Sequence, residues 1–265
     1  MVIQKIPLEN LQNTRDLGGF MTKDGRKVKP HRLIRSGDLK DATENDKKLL
    51  VDTYGLNMVI DFRTAQECKD RPDPRIPGVE YIWHPIFEEK ASGITREKDE
   101  ENDFLEDFTQ DALSGNLSAE DRMNMLYLQM VSSPHVRSQY SRFFDMLLSH
   151  ENGAVLWHCS AGKDRVGMGT SLVLYALGVD KDTIFQDYLM TNEFTKASVQ
   201  AELAAVKEPE LVPSLEVLMT VRRRYIETVY DYLEKTYGTL DKSLEEGFGV
   251  TRQKRERLRE MYLEG

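Results

Sequence analysis

Cysteine is scarce in this chain. Its 265 residues hold two, Cys68 and Cys159, too few for a disulfide framework or a multi-cysteine zinc site. The five histidines show no metal-ligand spacing. Apolar runs stop far short of the ~18 residues that a membrane-crossing helix requires. The first ten residues lack the apolar core of a secretory signal. Basic residues do not predominate: 36 Lys and Arg against 45 Asp and Glu leave a net charge of −9. That balance argues against a general nucleic-acid binder, which needs a basic face. It also disfavours adhesion to an anionic membrane. No internal repeat and no low-complexity linker interrupts the chain. A cytoplasmic enzyme is the expectation, although a pre-cleaved or unconventionally exported chain would look the same.

What remains is ample for a globular core, with 40% of residues hydrophobic. At ~150 residues per domain the length suits one large or two small domains. Three short runs read as strands: Asn57–Phe62, Glu80–His84 and Ala154–Trp157. They are near-continuously apolar, as strands buried on both faces of a sheet are. Helical spacing follows Thr43-x-x-Asp46 and Ser118-x-x-Asp121, two variants of the capping box. It recurs at Tyr140, Phe143, Phe144, Leu147 and Leu148, and at Val166, Thr170, Val173, Leu174 and Leu177, with Gly178 placed to end that helix. Residues Leu215 to Leu233 predict one long helix ending near Gly238. The fold class expected is α/β, a central mostly parallel sheet flanked by helices, with a helix-rich C-terminal part. That tail shows no strand of its own, so residues 1–265 are taken as one domain. The window 88–111 stands apart: ten acids against three bases give it −7, which predicts a solvated surface segment or a lid.

One segment names a chemistry. His158-Cys159-Ser160-Ala161-Gly162-Lys163-Asp164-Arg165-Val166-Gly167 follows a buried-strand pattern and opens a helix. A strand, a short loop and a helix N-terminus together form an anion site, because unpaired backbone N–H groups and the helix dipole both favour negative charge. Gly162 permits the tight turn. Arg165, in the first helical turn, can bind two phosphate oxygens at once. Cys159 sits at the mouth, where helix N-termini and cations lower a thiol pKa from ~8.5 to ~3.5–7.5. A thiolate beside bound phosphate invites in-line attack on phosphorus and a cysteinyl-phosphate that water then cleaves. Phosphate-binding residues are therefore Ser160, Ala161, Gly162, Lys163, Asp164 and Arg165, with phosphate or sulfate as the loop's ion. The chemistry calls for no metal and no cofactor.

The pattern His-Cys-x5-Arg resembles the signature of the cysteine-dependent protein tyrosine phosphatase superfamily, and His158–Gly167 resembles its bacterial tyrosine/serine phosphatase family, which includes dual-specificity and phosphoinositide-active members. Asn13-Thr14-Arg15-Asp16-Leu17-Gly18-Gly19, Leu33-Ile34-Arg35-Ser36-Gly37, Val59-Ile60-Asp61-Phe62-Arg63, Asp187-Tyr188-Leu189-x-x-Asn192 and Tyr237-Gly238 are similar to further landmarks of that family, from about Asn13 to Leu263. The resemblance implies hydrolysis of phosphomonoesters, first of protein phosphotyrosine, then of phosphoserine/threonine, phosphoinositides or inositol phosphates. Lys163 would then pair with additional phosphates, or simply be solvated. The chain departs from the family at Val166, where a Thr or Ser usually supports the thiolate, so slower turnover is expected.

Departure of the alcohol or phenol needs a proton donor. Three candidates are open: Asp164, which the resemblance favours; Asp61, at a strand end; and Glu88 with Glu89, where related enzymes place an acidic loop. Asp164 could instead orient Arg165. His158 is expected to bond loop backbone, and Arg15, Asp16 and Arg35 to form an ion-pair set around the loop. Cys68 reads as an ordinary thiol, or as a partner that could form a disulfide with Cys159. Arg222–Arg224 and the Arg252–Arg259 cluster read as solvated helix faces. Two other classes stay in view. One is a sulfur- or arsenate-handling cysteine enzyme, which does not need Arg165 at this spacing. The other is a non-catalytic phospho-binding module, against which an intact Cys159 and Arg165 argue.

Overall fold

A computed structural model describes residues 4–87 and 118–265; the acidic window 88–111, with Glu88 and Glu89, lies outside the described residues. Six strands form one sheet in the order β1 (Gln4–Lys5), β2 (Arg15–Asp16), β4 (Leu33–Ser36), β7 (Ala154–His158), β5 (Leu56–Asp61) and β6 (Glu80–Trp83). The pairs β4–β7, β7–β5 and β5–β6 are parallel, and β1–β2–β4 is antiparallel. All three sequence-predicted strands are present, but β6 lies at the sheet's edge with Glu80 and Trp83 exposed, so burial on both faces does not hold for it.

The apolar strand residues divide by parity, because successive side chains of a strand point to opposite faces. Leu33, Met58, Ile60, Val155 and Trp157 enter the larger core. Ile34, Val59, Ala154 and Leu156 enter a smaller one on the other face. The smaller core is covered by α1 (Glu44–Asp52), whose N-cap Thr43 and Asp46 form the reciprocal capping box read from the sequence. The larger core gathers α3 (Ala119–Ser132), α4 (Pro134–Ser149), α5 (Asp164–Leu177), α6 (Lys181–Ala204), α7 (Val212–Met219), α8 (Arg223–Tyr237) and α9 (Arg252–Tyr262). Between β5 and β6 lies the short α2 (Ala65–Asp70), capped by Thr64. Gly178 ends α5 in the left-handed conformation at φ 97°.

Two expectations change. The long helix predicted from Leu215 to Gly238 is two helices, α7 and α8, broken by extended backbone at Thr220 and Arg222. Asn192 fixes the break. Its amide donates to the Val221 carbonyl and its carbonyl accepts from the Val221 N–H, both at 2.8 Å. The apolar spacing continues on both sides because both helices bury a face in the same core, so periodicity alone does not show the interruption. The tail also has a strand: β8 (Leu263–Glu264) pairs with β3 (Lys27–Val28). Two residues are too few to show a period.

Every parallel strand ends at the same edge, with Ser36 and Asp61 both beside His158, and Trp83 beside Asp61. That carboxyl edge is where open α/β sheets place their ligands. Asn192→Ala is expected to leave the Val221 N–H and C=O without partners and to cost about 1–3 kcal/mol of unfolding free energy in denaturant titration. An unchanged midpoint would contradict the assignment.

Candidate active site

The loop between β7 and α5 is shaped from behind. The Ser160 carbonyl accepts from the Asp38 N–H at 3.0 Å. The Ala161 and Gly162 carbonyls both accept from the Asn13 side-chain amide, at 3.0 and 2.9 Å. Gly162 also accepts from Arg35 at 2.9 Å. A trans peptide is planar, so each N–H points opposite to the carbonyl of the residue before it. Drawing three successive carbonyls outward therefore turns the N–H groups of Ala161, Gly162 and Lys163 inward. Gly162 is required twice. Its φ is +65°, and a Cβ there would lie 2.4 Å from the Ser36 carbonyl oxygen and 2.6 Å from the Gly37 nitrogen.

Two of the groups that pull the carbonyls, Arg35 and, through Arg15, Asn13, are themselves held by Asp187 on α6. Strand register sets Arg15 directly opposite Arg35, a like-charge pairing that would be unfavourable alone. Asp187 joins them, accepting from Arg15 Nε at 2.7 Å and from Arg35 at 2.6 Å. Arg15 then donates to the Asn13 side-chain carbonyl at 2.5 Å. All three charges are buried. Burial and Arg35 press the Arg15 pKa down to about 10, with Asp187 opposing them. Asp16, expected in this set, stands outside it and caps the Gly18 and His31 N–H groups instead.

Arg165 is fixed by Glu67 on α2, a residue the sequence reading missed. The carboxylate accepts from both terminal guanidinium nitrogens, at 2.7 and 2.8 Å, and from the Ser160 hydroxyl. Burial would raise the Glu67 pKa, but Arg165 outweighs it and holds the carboxyl below its ordinary range. Arg165 Nε is buried and has no partner among the described residues. The Thr64-x-x-Glu67 spacing has the form of a capping box, a signal that marks a helix start and not that the same carboxylate meets a guanidinium 98 residues away.

His158, fully buried, faces Cys159 with one ring nitrogen, Nδ1 lying 3.3 Å from the Cys159 carbonyl oxygen. Its Nε2 lies 3.0 Å from Asp73 and 3.8 Å from Asp61, as ion-pair contacts and not aligned hydrogen bonds. Burial alone would lower the His158 pKa; Asp61 and Asp73 overcome that and raise it. Arg63 bridges the same two carboxylates at 2.7 Å each. Against the effect of burial, His158 and Arg63 hold Asp61 well below the carboxylate range. A carboxyl kept ionised in this way is a poor proton donor. Cys68 donates its thiol to Asp61 at 3.2 Å, and burial together with that charge pushes its pKa up to about 12. A thiol so protonated is a poor partner for oxidation to a disulfide.

Asp164 opens α5, buried. It accepts from the Tyr127 hydroxyl at 2.6 Å and from Lys163 Nζ at 3.0 Å. Lys163 is neither solvated nor free for extra phosphates as it stands. It is buried, and also donates to the Leu218 carbonyl at 2.8 Å. Val166 is fully buried in the larger core, and Cys159 is buried at the loop's start. The structure thus gathers Cys159 through Arg165, His158 and Asp61 at one sheet edge. The two basic clusters are largely ion-paired: Arg222 and Arg224 reach Glu120, and Arg255 reaches Asp241.

The depressed Glu67 pKa gives a signed expectation. Its stabilising effect is present above the free glutamate value of 4.5 and is lost as pH falls through the lower folded value. The stability advantage of the wild type over Glu67→Gln, measured by denaturant titration, should therefore shrink through the acid range. A difference that stays constant there would contradict the pairing.

Known proteins resemble this chain along most of its length. The tyrosine phosphatase family model matches residues 6–264. A Cupriavidus necator protein provisionally named a tyrosine-protein phosphatase is 29% identical over 250 residues, covering 92% of this chain and 84% of the relative. The triple specificity protein phosphatase PtpB of Mycobacterium tuberculosis is 26% identical over 262 residues, covering 91% and 92%. A tyrosine-protein phosphatase of Nostoc commune is 28% identical over 162 residues, covering 61% and 49%. With an amide-lined loop between a cysteine and a buried arginine, and a match over nearly its whole length, this chain belongs to the tyrosine phosphatase family.

Proposed function

We propose that this protein is a cysteine-dependent phosphatase whose nucleophile is Cys159. The observation that carries the reading is the loop itself: carbonyls of Ser160, Ala161 and Gly162 bonded from behind, which turns the next three amides inward, and a guanidinium whose Nε has no partner among the described residues and is placed to bond a substrate oxygen. In the first step Cys159 Sγ attacks phosphorus, the S–P bond forms, and the P–O bond to the leaving group breaks. Loop amides and Arg165 take the equatorial oxygens, where charge accumulates in the transition state. The departing oxygen receives a proton from Asp164. In the second step a water gives that carboxylate a proton, its oxygen attacks phosphorus, and the S–P bond breaks to release phosphate. Asp164 is chosen over Asp61 because Asp61 is held ionised by Arg63 and His158.

Protein phosphotyrosine is the first substrate class. A range wider than phosphotyrosine is supported by a relative named for triple specificity, with phosphoserine/threonine and phosphoinositides as the further classes proposed. Engaging a second phosphate through Lys163 would require its ammonium to leave the Leu218 carbonyl. The test is a panel of phosphopeptides and phosphoinositides with vanadate as inhibitor. Cys159→Ser should abolish turnover, and Arg165→Lys should lower kcat by about 10²–10³-fold through loss of the planar fork. Undiminished hydrolysis by Cys159→Ser would overturn the assignment.

A further inference from the structure

Asp164 is the end of a one-way chain of hydroxyls. Tyr188 on α6 donates to the Tyr127 hydroxyl at 2.7 Å, and Tyr127 on α3 donates to Asp164 Oδ1 at 2.6 Å. Both phenols are buried. Neither ring has room to turn. Tyr127 stacks on Tyr225 of α8 at a centroid distance of 5.4 Å and meets Tyr188 edge-on at 6.0 Å. Tyr188 in turn presses on Gly167, where a Cβ would come within 3.1 Å of its ring, so the glycine two residues after Arg165 is what lets the chain of hydroxyls approach the loop. Two other buried phenols of the larger core donate to backbone carbonyls, Tyr140 to Arg165 and Tyr262 to Leu147. Tyr127 spends its proton on a carboxyl group.

Lys163 cannot distinguish the two oxygens of that carboxyl, since its Nζ lies 3.0 Å from each. Tyr127 reaches only Oδ1. We infer that Tyr127, braced by Tyr188, is a positioning residue that occupies Oδ1 and leaves Oδ2 as the oxygen that exchanges the proton with the substrate. The inference rests on Asp164 being the general acid. Tyr127 acts through Asp164 and touches no reacting atom. A donor on Oδ1 also stabilises the charged form of a carboxyl group, so the tether should show in the basic limb of the pH–rate profile. The groups facing Asp164 are Tyr127, Tyr188, Tyr225, Tyr140, Lys163 and Arg165. Burial raises the pKa of each of the four phenols, so none adds a charge near neutrality.

The experiment is a pH–rate profile of kcat/KM and a series of aryl phosphates with leaving groups of rising pKa. It is run on the wild type, Tyr127→Phe, Tyr188→Phe and Asp164→Asn. Tyr127→Phe should move the basic limb up by about one pH unit, the loss of one hydrogen bond to a charged group. It should also steepen the dependence on leaving-group pKa. Tyr188→Phe should do the same more weakly, and carries the test alone if Tyr127→Phe does not fold. A merely structural role would lower activity evenly across the series without moving the limb. If Asp164→Asn steepens the dependence while both phenylalanine variants keep the wild-type limb and slope, the tether is overturned. If Asp164→Asn leaves the slope unchanged, the general-acid reading beneath it falls.

Discussion

The site depends on the planarity of three peptide bonds. Carbonyl oxygens drawn outward at Ser160, Ala161 and Gly162 turn the following N–H groups to the inner side of the loop. The ring of donors is thus imposed from outside the loop. Its cost is met by buried charge. Arg15 and Arg35, opposite each other in the sheet, would repel without Asp187 between them, and breaking such a buried set by removing one partner typically costs about 3–5 kcal/mol. Two arginines share one carboxylate there, so the set also leaves a positive charge behind the loop, favourable to a dianion.

On the opposite side of Cys159 the pattern differs. His158 and Arg63 face Asp61 and Asp73, a cluster whose charges balance when His158 is protonated. It fixes the end of β7 next to Cys159. The same cluster removes two groups from the chemistry: Asp61 is held ionised, and the Cys68 thiol is held protonated against it. Glu67 organises the remaining side by accepting from Arg165 and Ser160 together, which orients the guanidinium before any ligand arrives. Preorganisation of this kind is the larger part of electrostatic catalysis.

Much of this was legible in the sequence. The strands Leu56–Asp61, Glu80–Trp83 and Ala154–His158 carry β-type apolar runs, and Thr43, Ser118 and Gly178 mark their helix ends by cap chemistry. The loop was legible because its function demands specific residue types at fixed spacing. What escaped was long-range. Glu67 and Asp73 carry no local signal of their roles, and Tyr127 is one more member of an apolar stripe; each acquires its role only from a partner brought near by the fold. Asn192 likewise breaks a helix 29 residues away, and no local pattern encodes that.

A crystal structure with tungstate or vanadate bound tests the central claim most directly. The account predicts the metal–oxygen tetrahedron seated over Cys159 Sγ, with its oxygens on the amides of Ala161, Gly162 and Lys163 and on Arg165 Nε. An oxyanion bound elsewhere, or a loop whose carbonyls turn inward toward it, would contradict the account.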